Sequence, residues 1–157
     1  MGVKQVKLST RGEYAVRALV HLAQNYNERL VSLREVSQSE NISYQYLEQI
    51  FLDLRRQALV KSVRGAKGGY ALARAPDQVT VGEVIKAVEG PIAPVSCVSP
   101  EYEENDKCCD RLSTCAPRGV WEKLRDRIVE VLDEFTLADL AKQEAYPAEQ
   151  GDELQHL

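Results

Sequence analysis

The chain has 157 residues, of which 44% are hydrophobic and 28% are charged, values typical of a soluble globular protein. This length allows one compact domain with a sizeable core, or a small domain with an appendage. The first residues lack the apolar stretch of a signal peptide, and no apolar run approaches the roughly 18 residues of a membrane span. We therefore expect a cytoplasmic protein without a membrane partner.

Charge is distributed unevenly along the chain, although the net charge is only −4. Residues 1–75 carry 12 Lys and Arg against 6 Asp and Glu, whereas residues 76–157 carry 8 against 18. A basic amino-terminal half suits a polyanion such as nucleic acid, which the acidic half would repel. The second half is therefore expected to serve in sensing or oligomerisation.

Two helices are predicted in the first 40 residues. Thr10 and Glu13 have the spacing of a capping box, and apolar residues then recur at helical intervals until about Asn25. Ser32 and Glu35 repeat the capping pattern at the start of a short second helix.

A third predicted helix starts at Ser43, and its apolar side chains recur at the intervals of one buried helix face. These side chains are Leu47, Ile50, Phe51 and Leu54. A tight connection at residues 40–42 joins the second and third helices as a helix-turn-helix. Strand-like runs at 59–63 and 70–73 then flank a loop with three glycines and two cations. A helix-turn-helix followed by a basic hairpin is a winged helix, whose third helix enters the major groove of DNA.

Polar residues of the third helix that lie outside its apolar stripe are candidates for reading DNA. They are Ser43, Tyr44, Gln45, Glu48 and Gln49. The paired donor and acceptor of glutamine suit adenine, and glutamate can accept from cytosine N4. Arg64 and Lys67 at the wing tip are expected to contact phosphate or the minor groove. A solvated helix face is the alternative, and the adjacent wing favours DNA binding.

Two further helices are predicted in the second half. Thr80 and Glu83 cap a fourth helix, which Gly90 and Pro91 end. From about Arg118, a helix of about 18 residues and roughly 27 Å carries apolar residues at alternating spacings of three and four. These residues are Trp121, Leu124, Ile128, Val131 and Phe135. Such a narrow seam favours pairing with a second chain, although packing within one subunit is the alternative.

These elements divide the chain into four parts. A winged helix-turn-helix DNA-binding domain spans residues 1–90, a cysteine-rich loop spans 91–117, and a dimerisation helix with a following turn spans 118–143. The polar tail at 144–157 is expected to be disordered. The predicted fold class is mainly α with a small β-hairpin wing.

All four cysteines lie in one polar, helix-poor loop. Eleven residues separate Cys97 from Cys109, five separate Cys109 from Cys115, and Cys108 adjoins Cys109. In a reducing compartment, such a group indicates metal binding or redox chemistry more than a stable disulfide framework. Thiolates suit zinc and iron-sulfur clusters alike, so the residues alone leave an iron-sulfur cluster, zinc and a redox disulfide open.

Four segments resemble the IscR-like family of winged-helix iron-sulfur cluster regulators, whose relatives include nitric oxide and cysteine-metabolism sensors. The segments are LSTRGEYAVRAL, SYQYLEQIFLDLRRQALVKSVRGAKGGYAL, VGEVIKAVEGPIAPV and CAPRGVW. The resemblance extends over nearly the full length. It implies a homodimeric repressor or activator that binds a double-stranded DNA operator, has no enzymatic activity and holds a [2Fe-2S] cluster.

The resemblance also implies the cluster ligands, which are three cysteines and one residue of another type. The three thiolates correspond to Cys97, Cys109 and Cys115, and the five-residue gap between the last two is that of the family. Cys108 is interpreted as a spare thiol or a substitute ligand, because adjacent cysteines rarely aim both sulfurs at one metal.

The fourth ligand departs from one family pattern and fits another. Members with a histidine ligand carry it three residues after the last cysteine, where this chain has Arg118, which lacks a free lone pair. Members with a carboxylate ligand carry it near the start of the first helix. Glu13 is therefore the candidate fourth ligand, although its spacing from Thr10 also explains it as a capping residue.

The sequence therefore predicts a regulator that senses iron-sulfur cluster supply or redox state and controls genes of cluster assembly or sulfur metabolism. One alternative is a nitric oxide or cysteine-metabolism sensor of the same family, and another is a DNA-binding protein with structural zinc. A redox enzyme is the third, but the sequence has neither a Gly-rich cofactor loop after a strand nor a nucleophile-base pair. His21 and His156 are assigned no role.

Overall fold

A computed structural model of the chain describes residues 8–102, 109, 111 and 113–143. The helices are α1 (Thr10–Gln24), α2 (Leu33–Glu40), α3 (Tyr44–Arg56), α4 (Val81–Glu89), α5 (Arg118–Glu134) and α6 (Leu137–Lys142). Strands β1 (Val60–Val63) and β2 (Gly69–Leu72) form an antiparallel hairpin. This mainly helical architecture with one small hairpin confirms the predicted fold class. Within the described ranges, no helix is long and apolar enough to cross a membrane. The tail at 144–157 lies outside these ranges.

Helices α1 to α4 pack around one hydrophobic core, together with the inner residues of the hairpin. Side chains of α3 that enter this core are at most 1% exposed: Leu47, Ile50, Phe51 and Leu54. Their burial confirms the apolar face that their spacing predicts. Full burial of a side chain of this size contributes about 1.5–3 kcal/mol relative to exposure. The core therefore fixes the orientation of α3 and leaves its opposite face in solvent.

Helix caps at Ser32, Ser43 and Thr80 agree with the sequence analysis. Each side chain accepts a hydrogen bond from the backbone N–H three residues later. At Thr80 the capping box is complete, because the Glu83 carboxylate accepts from the Thr80 N–H at 3.1 Å. The Glu35 carboxylate instead forms an ion pair with Arg29 and a hydrogen bond with His21.

The capping box predicted at Thr10 is wrong. Ser9 is the N-cap of α1, its side chain accepts from the Gly12 N–H, and Thr10 is the first helical residue. The Gly12 N–H also donates to Glu89 Oε1 at 2.8 Å, so a carboxylate from α4 satisfies the helix start. Glu13 is exposed and lies one position too late for the reciprocal bond.

The wing is fixed to the segment between α1 and α2. Its strands pair along all four residues of each, within one residue of the predicted runs at 59–63 and 70–73. Val31 and Tyr70 exchange backbone hydrogen bonds of 2.9 and 2.8 Å, which adds a short third partner to the sheet. A Cβ at Gly69 would lie 2.8 Å from the Val31 oxygen, so this approach requires glycine.

Helix α5 packs on α4 and then returns the chain to the core. The Asp133 carboxylate of α5 lies so close to Gly82 of α4 that a Cβ at Gly82 would be 1.9 Å from it. The same carboxylate accepts a hydrogen bond from the Thr80 hydroxyl at 3.0 Å. Beyond α5, Leu137 is fully buried, and its N–H donates to the Val79 carbonyl at 2.9 Å. The predicted following turn is therefore the helix α6, which anchors the end of α5 to the winged domain.

Candidate nucleic-acid interface and cysteine segment

The first turns of α3 carry the residues expected to face DNA. All five are exposed: Ser43, Tyr44, Gln45, Glu48 and Gln49. The Ser43 hydroxyl accepts from the Tyr46 N–H at 3.2 Å, so it caps the helix and keeps its own proton for donation. A helix amino terminus also carries partial positive charge, which favours phosphate. The structure therefore presents these side chains to solvent together, and their contacts with DNA stay a prediction.

The wing loop presents cations to solvent. Arg64 and Lys67 are exposed between β1 and β2, and Lys61 on β1 is exposed as well. Among the residues that the structure describes, none of the three pairs with a carboxylate. These cations are therefore free to contact phosphate, and release of DNA counterions would make such contacts sensitive to salt.

An ion-pair network fastens the helix-turn-helix to α1. His21 of α1 lies between two carboxylates of α2, with Nε2 3.2 Å from Glu35 and Nδ1 3.7 Å from Glu40. Hydrogen bonds from Arg29 and then from His21 lower the pKa of Glu35 to about 2. Arg17 pairs with Glu40 at 3.2 Å. His21, for which the sequence predicts no role, therefore helps to hold α2 in place.

A second group of contacts joins the start of α1 to α3 and α4. Arg11 pairs with Asp53 of α3 and donates to the Val88 carbonyl of α4 at 3.2 Å. The Glu89 carboxylate accepts from the Gly12 N–H. These partners are 42 to 77 residues apart in sequence, so no local motif indicates them. The junction is therefore not predictable from the sequence.

All cysteines within the described ranges are free thiols: Cys97, Cys109 and Cys115. Cys109 is exposed and the other two are half-buried. Cys108 lies outside the described residues. Across the part of the chain that the structure describes, no three Cys, His, Asp or Glu side chains are close enough to hold a metal ion. Three thiols are chemically suited to an iron-sulfur cluster, but in this structure they are not gathered around one point.

The cysteine-rich loop at residues 91–117, which we call the cysteine segment, contacts α5 near Cys97. Cys97 lies in the 3₁₀ turn Ser96–Val98. Arg125 of α5 donates to the Val98 carbonyl at 2.8 Å, and the Val98 side chain is buried. The position of Cys97 is therefore tied to the position of α5.

The two positions considered for a fourth ligand have different surroundings. Arg118 forms an ion pair with Glu122 at 2.9 Å, one turn further along α5. Glu13 lies near the start of α1 with its side chain exposed. A carboxylate can bind iron and a guanidinium cannot, so Glu13 keeps its role as the candidate, and that role stays a prediction.

No residue of α5 is buried, and apolar side chains run along the side of the helix opposite Arg125 and Asp133, which bind the rest of the chain. We call four side chains the α5 stripe, of which three lie on α5 and Phe135 directly follows its last residue: Val120, Leu124, Val131 and Phe135, which are 59%, 41%, 52% and 42% exposed. The neighbouring Trp121 and Ile128 are half-buried. The predicted seam is therefore not packed into the core of its own subunit.

A helix-turn-helix whose third helix exposes a polar face, followed by a cationic hairpin, defines a winged-helix DNA-binding regulator. The chain belongs to the Rrf2 family, described as iron-dependent transcriptional regulators, whose profile matches residues 8–143. This membership confirms the predicted family resemblance, and it confirms the prediction of a transcription regulator rather than an enzyme.

Individual relatives include regulators of two kinds. The HTH-type transcriptional regulator CymR of Bacillus subtilis is 41% identical over 146 residues, which are 90% of this chain and 97% of CymR. IscR of Erwinia tasmaniensis is 38% identical over 135 residues, which are 86% of this chain and 78% of IscR.

Solved structures of CymR and IscR proteins are also similar to this chain. CymR of B. subtilis, described as its global cysteine regulator, matches with a TM-score of 0.73 and 38% identity over 90% of this chain and 100% of that chain. IscR of T. potens matches with a TM-score of 0.72 and 38% identity over 95% of this chain and 99% of that chain.

Proposed function

We propose that the chain is a homodimeric transcription regulator whose affinity for its operator is set by a [2Fe-2S] cluster. One observation carries this proposal: a member of an iron-dependent regulator family combines a winged helix with three free thiols between residues 97 and 115. Thiolates are the usual ligands of such clusters. The regulator would act in the cytoplasm on genes of cluster assembly or sulfur metabolism.

Cys97, Cys109 and Cys115 are the proposed thiolate ligands, with Glu13 as the fourth ligand and Cys108 as a substitute. A bound cluster would supply sensitivity to iron supply and to oxidants. A carboxylate is a harder ligand than a thiolate, and its weaker bond to iron suits exchange in a sensor. The exposed position of Glu13, outside any capping box, supports this assignment.

A rearrangement of the cysteine segment would reach the DNA-binding surface through contacts of the chain itself. Arg125 holds the Val98 carbonyl, and therefore ties the segment to α5. Helix α5 is anchored in turn to the winged domain through the buried Leu137. A change in the segment would alter the spacing or pose of the two recognition helices, which are the α3 helices of the two subunits. The cluster-loaded and cluster-free proteins would then prefer different DNA.

The dimer is proposed to form through the α5 stripe. Four large apolar side chains that are 41–59% exposed along α5 and at its end are unfavourable in water and typical of an interaction surface. A two-fold dimer would place two recognition helices on half-sites separated by about one turn of DNA. The operator is therefore expected to be pseudo-palindromic.

Each recognition helix is proposed to read bases, and each wing to bind the backbone. Gln45 and Gln49 suit adenine, and Glu48 suits cytosine. Arg64 and Lys67 suit phosphate or a narrow minor groove. The exposure of all five side chains supports these roles.

A second function is favoured by the likeness to CymR, which is described as a global cysteine regulator. In this alternative the chain would respond to cysteine metabolism through its thiols without a cluster. The separation of those thiols within the described residues is the observation that favours it.

Anaerobic purification, visible spectroscopy and analysis of iron, sulfide and zinc distinguish these functions. The cluster proposal predicts charge-transfer bands, about two irons and two sulfides per protomer, and a changed operator affinity after chelation. Colourless protein with stoichiometric zinc would support a structural zinc site. Colourless, metal-free protein whose DNA binding responds to thiol oxidation would support the second function.

Single substitutions test the ligand assignment within the same experiment. Cys97→Ser, Cys109→Ser and Cys115→Ser should each abolish or strongly weaken the bands, whereas Cys108→Ser should keep them. Glu13→Ala should shift the spectrum or accelerate cluster loss. An unchanged spectrum and lifetime in Glu13→Ala would exclude Glu13 as a ligand.

A further inference from the structure

Arg11 joins three helices at one point. It lies in the first turn of α1, pairs with Asp53 of α3 and donates through Nε to the Val88 carbonyl of α4 at 3.2 Å. The side chains of Arg11 and Asp53 are 29% and 26% exposed, so the pair is partly shielded from water. The recognition helix is therefore bound to the end of α4 through one side chain.

The α4 end of this junction leads directly into the cysteine segment. Val88 and Glu89 are the last residues of α4, and Gly90 begins the connection to residues 91–117. The Glu89 carboxylate accepts from the Gly12 N–H at 2.8 Å and from the Ser9 hydroxyl. A Cβ at Gly12 would lie 2.5 Å from that carboxylate. The first turn of α1 and the end of α4 are therefore packed too closely to move independently.

We infer that Arg11 is a positioning residue that couples the state of the cysteine segment to the pose of the recognition helix. The inference rests on the proposed function, because Glu13, the proposed fourth ligand, follows Arg11 by two residues. A shift of this turn, or of the end of α4, is passed by the Arg11–Asp53 pair to the carboxyl-terminal half of α3. A guanidinium suits this role because its planar fork can bind a carboxylate and a carbonyl in one fixed geometry.

A purely structural role for Arg11 gives a different result from a coupling role. Loss of a structural pair would weaken operator binding by the same factor in the cluster-loaded and cluster-free proteins. Loss of a coupling contact changes the ratio of the two dissociation constants. Asp53 also pairs with Arg56 at 3.4 Å within α3. Arg56→Gln is therefore a matched control, since it removes a cation from the same carboxylate and leaves the link between helices intact.

The test measures this ratio for the full-length protein on a duplex selected from random-sequence DNA by the cluster-loaded wild type. Reciprocal coupling of this kind is typically about 5- to 150-fold, and we expect the wild type within that range. Arg11→Gln and Asp53→Asn should each bring the ratio to within about twofold of 1 while the visible spectrum stays that of the wild type. Arg56→Gln should keep the wild-type ratio, and the Arg11→Gln/Asp53→Asn double variant should show no further loss.

Several outcomes overturn the inference. It is wrong if Asp53→Asn keeps the wild-type ratio of dissociation constants. This criterion also holds if the Arg11→Gln protein does not fold or does not bind a cluster. It is also wrong if Arg56→Gln collapses the ratio equally, because the effect then belongs to the charge of Asp53 alone. Wild-type protein without charge-transfer bands overturns the proposed function itself and this inference with it. A wild type with bands but a ratio of 1 overturns the inference and leaves cluster binding intact.

Discussion

Helices α3 and α5 are both amphipathic, but they place their apolar faces in different surroundings. Four apolar residues of α3, which are Leu47, Ile50, Phe51 and Leu54, are at most 1% exposed in the core, and the opposite polar face lies in solvent. The residues of the α5 stripe are 41–59% exposed, and no residue of α5 is buried. Both helices show apolar periodicity in the sequence, and only the structure distinguishes them.

This difference separates a self-sufficient part of the chain from an incomplete one. The winged domain has its own core and side-chain caps at the starts of its helices. Helix α5 and the cysteine segment contribute little to that core, and they expose apolar surface and free thiols. The proposed function accounts for this difference, because it assigns DNA binding to the winged domain and a partner chain and a cluster to the second half.

The largest expected effect comes from breaking the α5 stripe. Leu124→Asp combined with Val131→Asp should give a monomer, because the carboxylates would be buried without partners at the proposed interface. Operator affinity should fall by about 10²- to 10⁴-fold, since each recognition helix would then bind its half-site alone. Sedimentation equilibrium and fluorescence anisotropy measure the two effects. Lys123→Asp, an exposed site on the same helix, is the control, and a dimeric mass for the double variant would refute the interface.

Matched leucines compare the two helices directly. Leu54→Ala should lower the free energy of unfolding by about 2–5 kcal/mol, because a buried side chain is replaced by a cavity. Leu124→Ala should have a smaller effect that grows with protein concentration, because its side chain would be buried only in the dimer. Urea unfolding at several protein concentrations tests this. If both variants lower the free energy of unfolding equally at every protein concentration, both leucines are buried within one subunit and the prediction for Leu124 is wrong.

Arg64→Ala should weaken operator binding by about 1–3 kcal/mol if the side chain reads a base or groove. If the Arg64 side chain contacts phosphate alone, the slope of log affinity against log salt concentration should fall by about one released counterion. Lys142→Ala removes an exposed cation from α6, away from the α5 stripe, and serves as the control. Unchanged affinity of Arg64→Ala at matched salt would remove the wing from the proposed interface.

Glu35 provides a pH-dependent test of the contacts between α1 and α2. Its pKa falls from 4.5 to about 2 in the folded protein, so its ion pairs stabilise the fold above pH 4.5 and are lost as the pH falls towards 2. Glu35→Gln should cost at most about 1 kcal/mol at neutral pH, because solvent screens these half-exposed charges. The difference from wild type should vanish near pH 2. Adding Arg29→Gln should cost little more, and urea unfolding between pH 2 and 7 checks both statements.

The smallest expected effect is a gain in stability at the turn from α3 to the wing. Ala58 has a φ of 55°, and hydrogen bonds from Ala58 to Arg55 and from Leu59 to Leu54 form a Schellman cap. Ala58→Gly should raise the free energy of unfolding by about 0.5–1 kcal/mol, because glycine adopts this conformation without strain. Ala73→Gly, at a site without positive φ, should lower it. Thermal unfolding of both variants measures the contrast.

Much of the winged domain was predictable because its signals are local. The spacing of Leu47, Ile50, Phe51 and Leu54 predicts the buried face of α3, and glycines between strand-like runs predict the hairpin. The start of α1 was misassigned, because Ser9 and Thr10 both suit an N-cap and the Glu89 carboxylate that favours the earlier start comes from α4. Residues of the candidate site were predicted by type and spacing, and their surroundings were not.

The sequence by itself determined the helix-turn-helix, the wing, the grouping of the cysteines and the family resemblance, because each depends on residues close together in the chain. Tertiary structure alone decided which apolar helix faces are buried and which stay exposed. It also decided that Leu137 anchors α5 and that Arg11 meets Asp53 and Val88. These contacts join residues far apart in sequence, and their energy depends on shapes that form only when the helices pack.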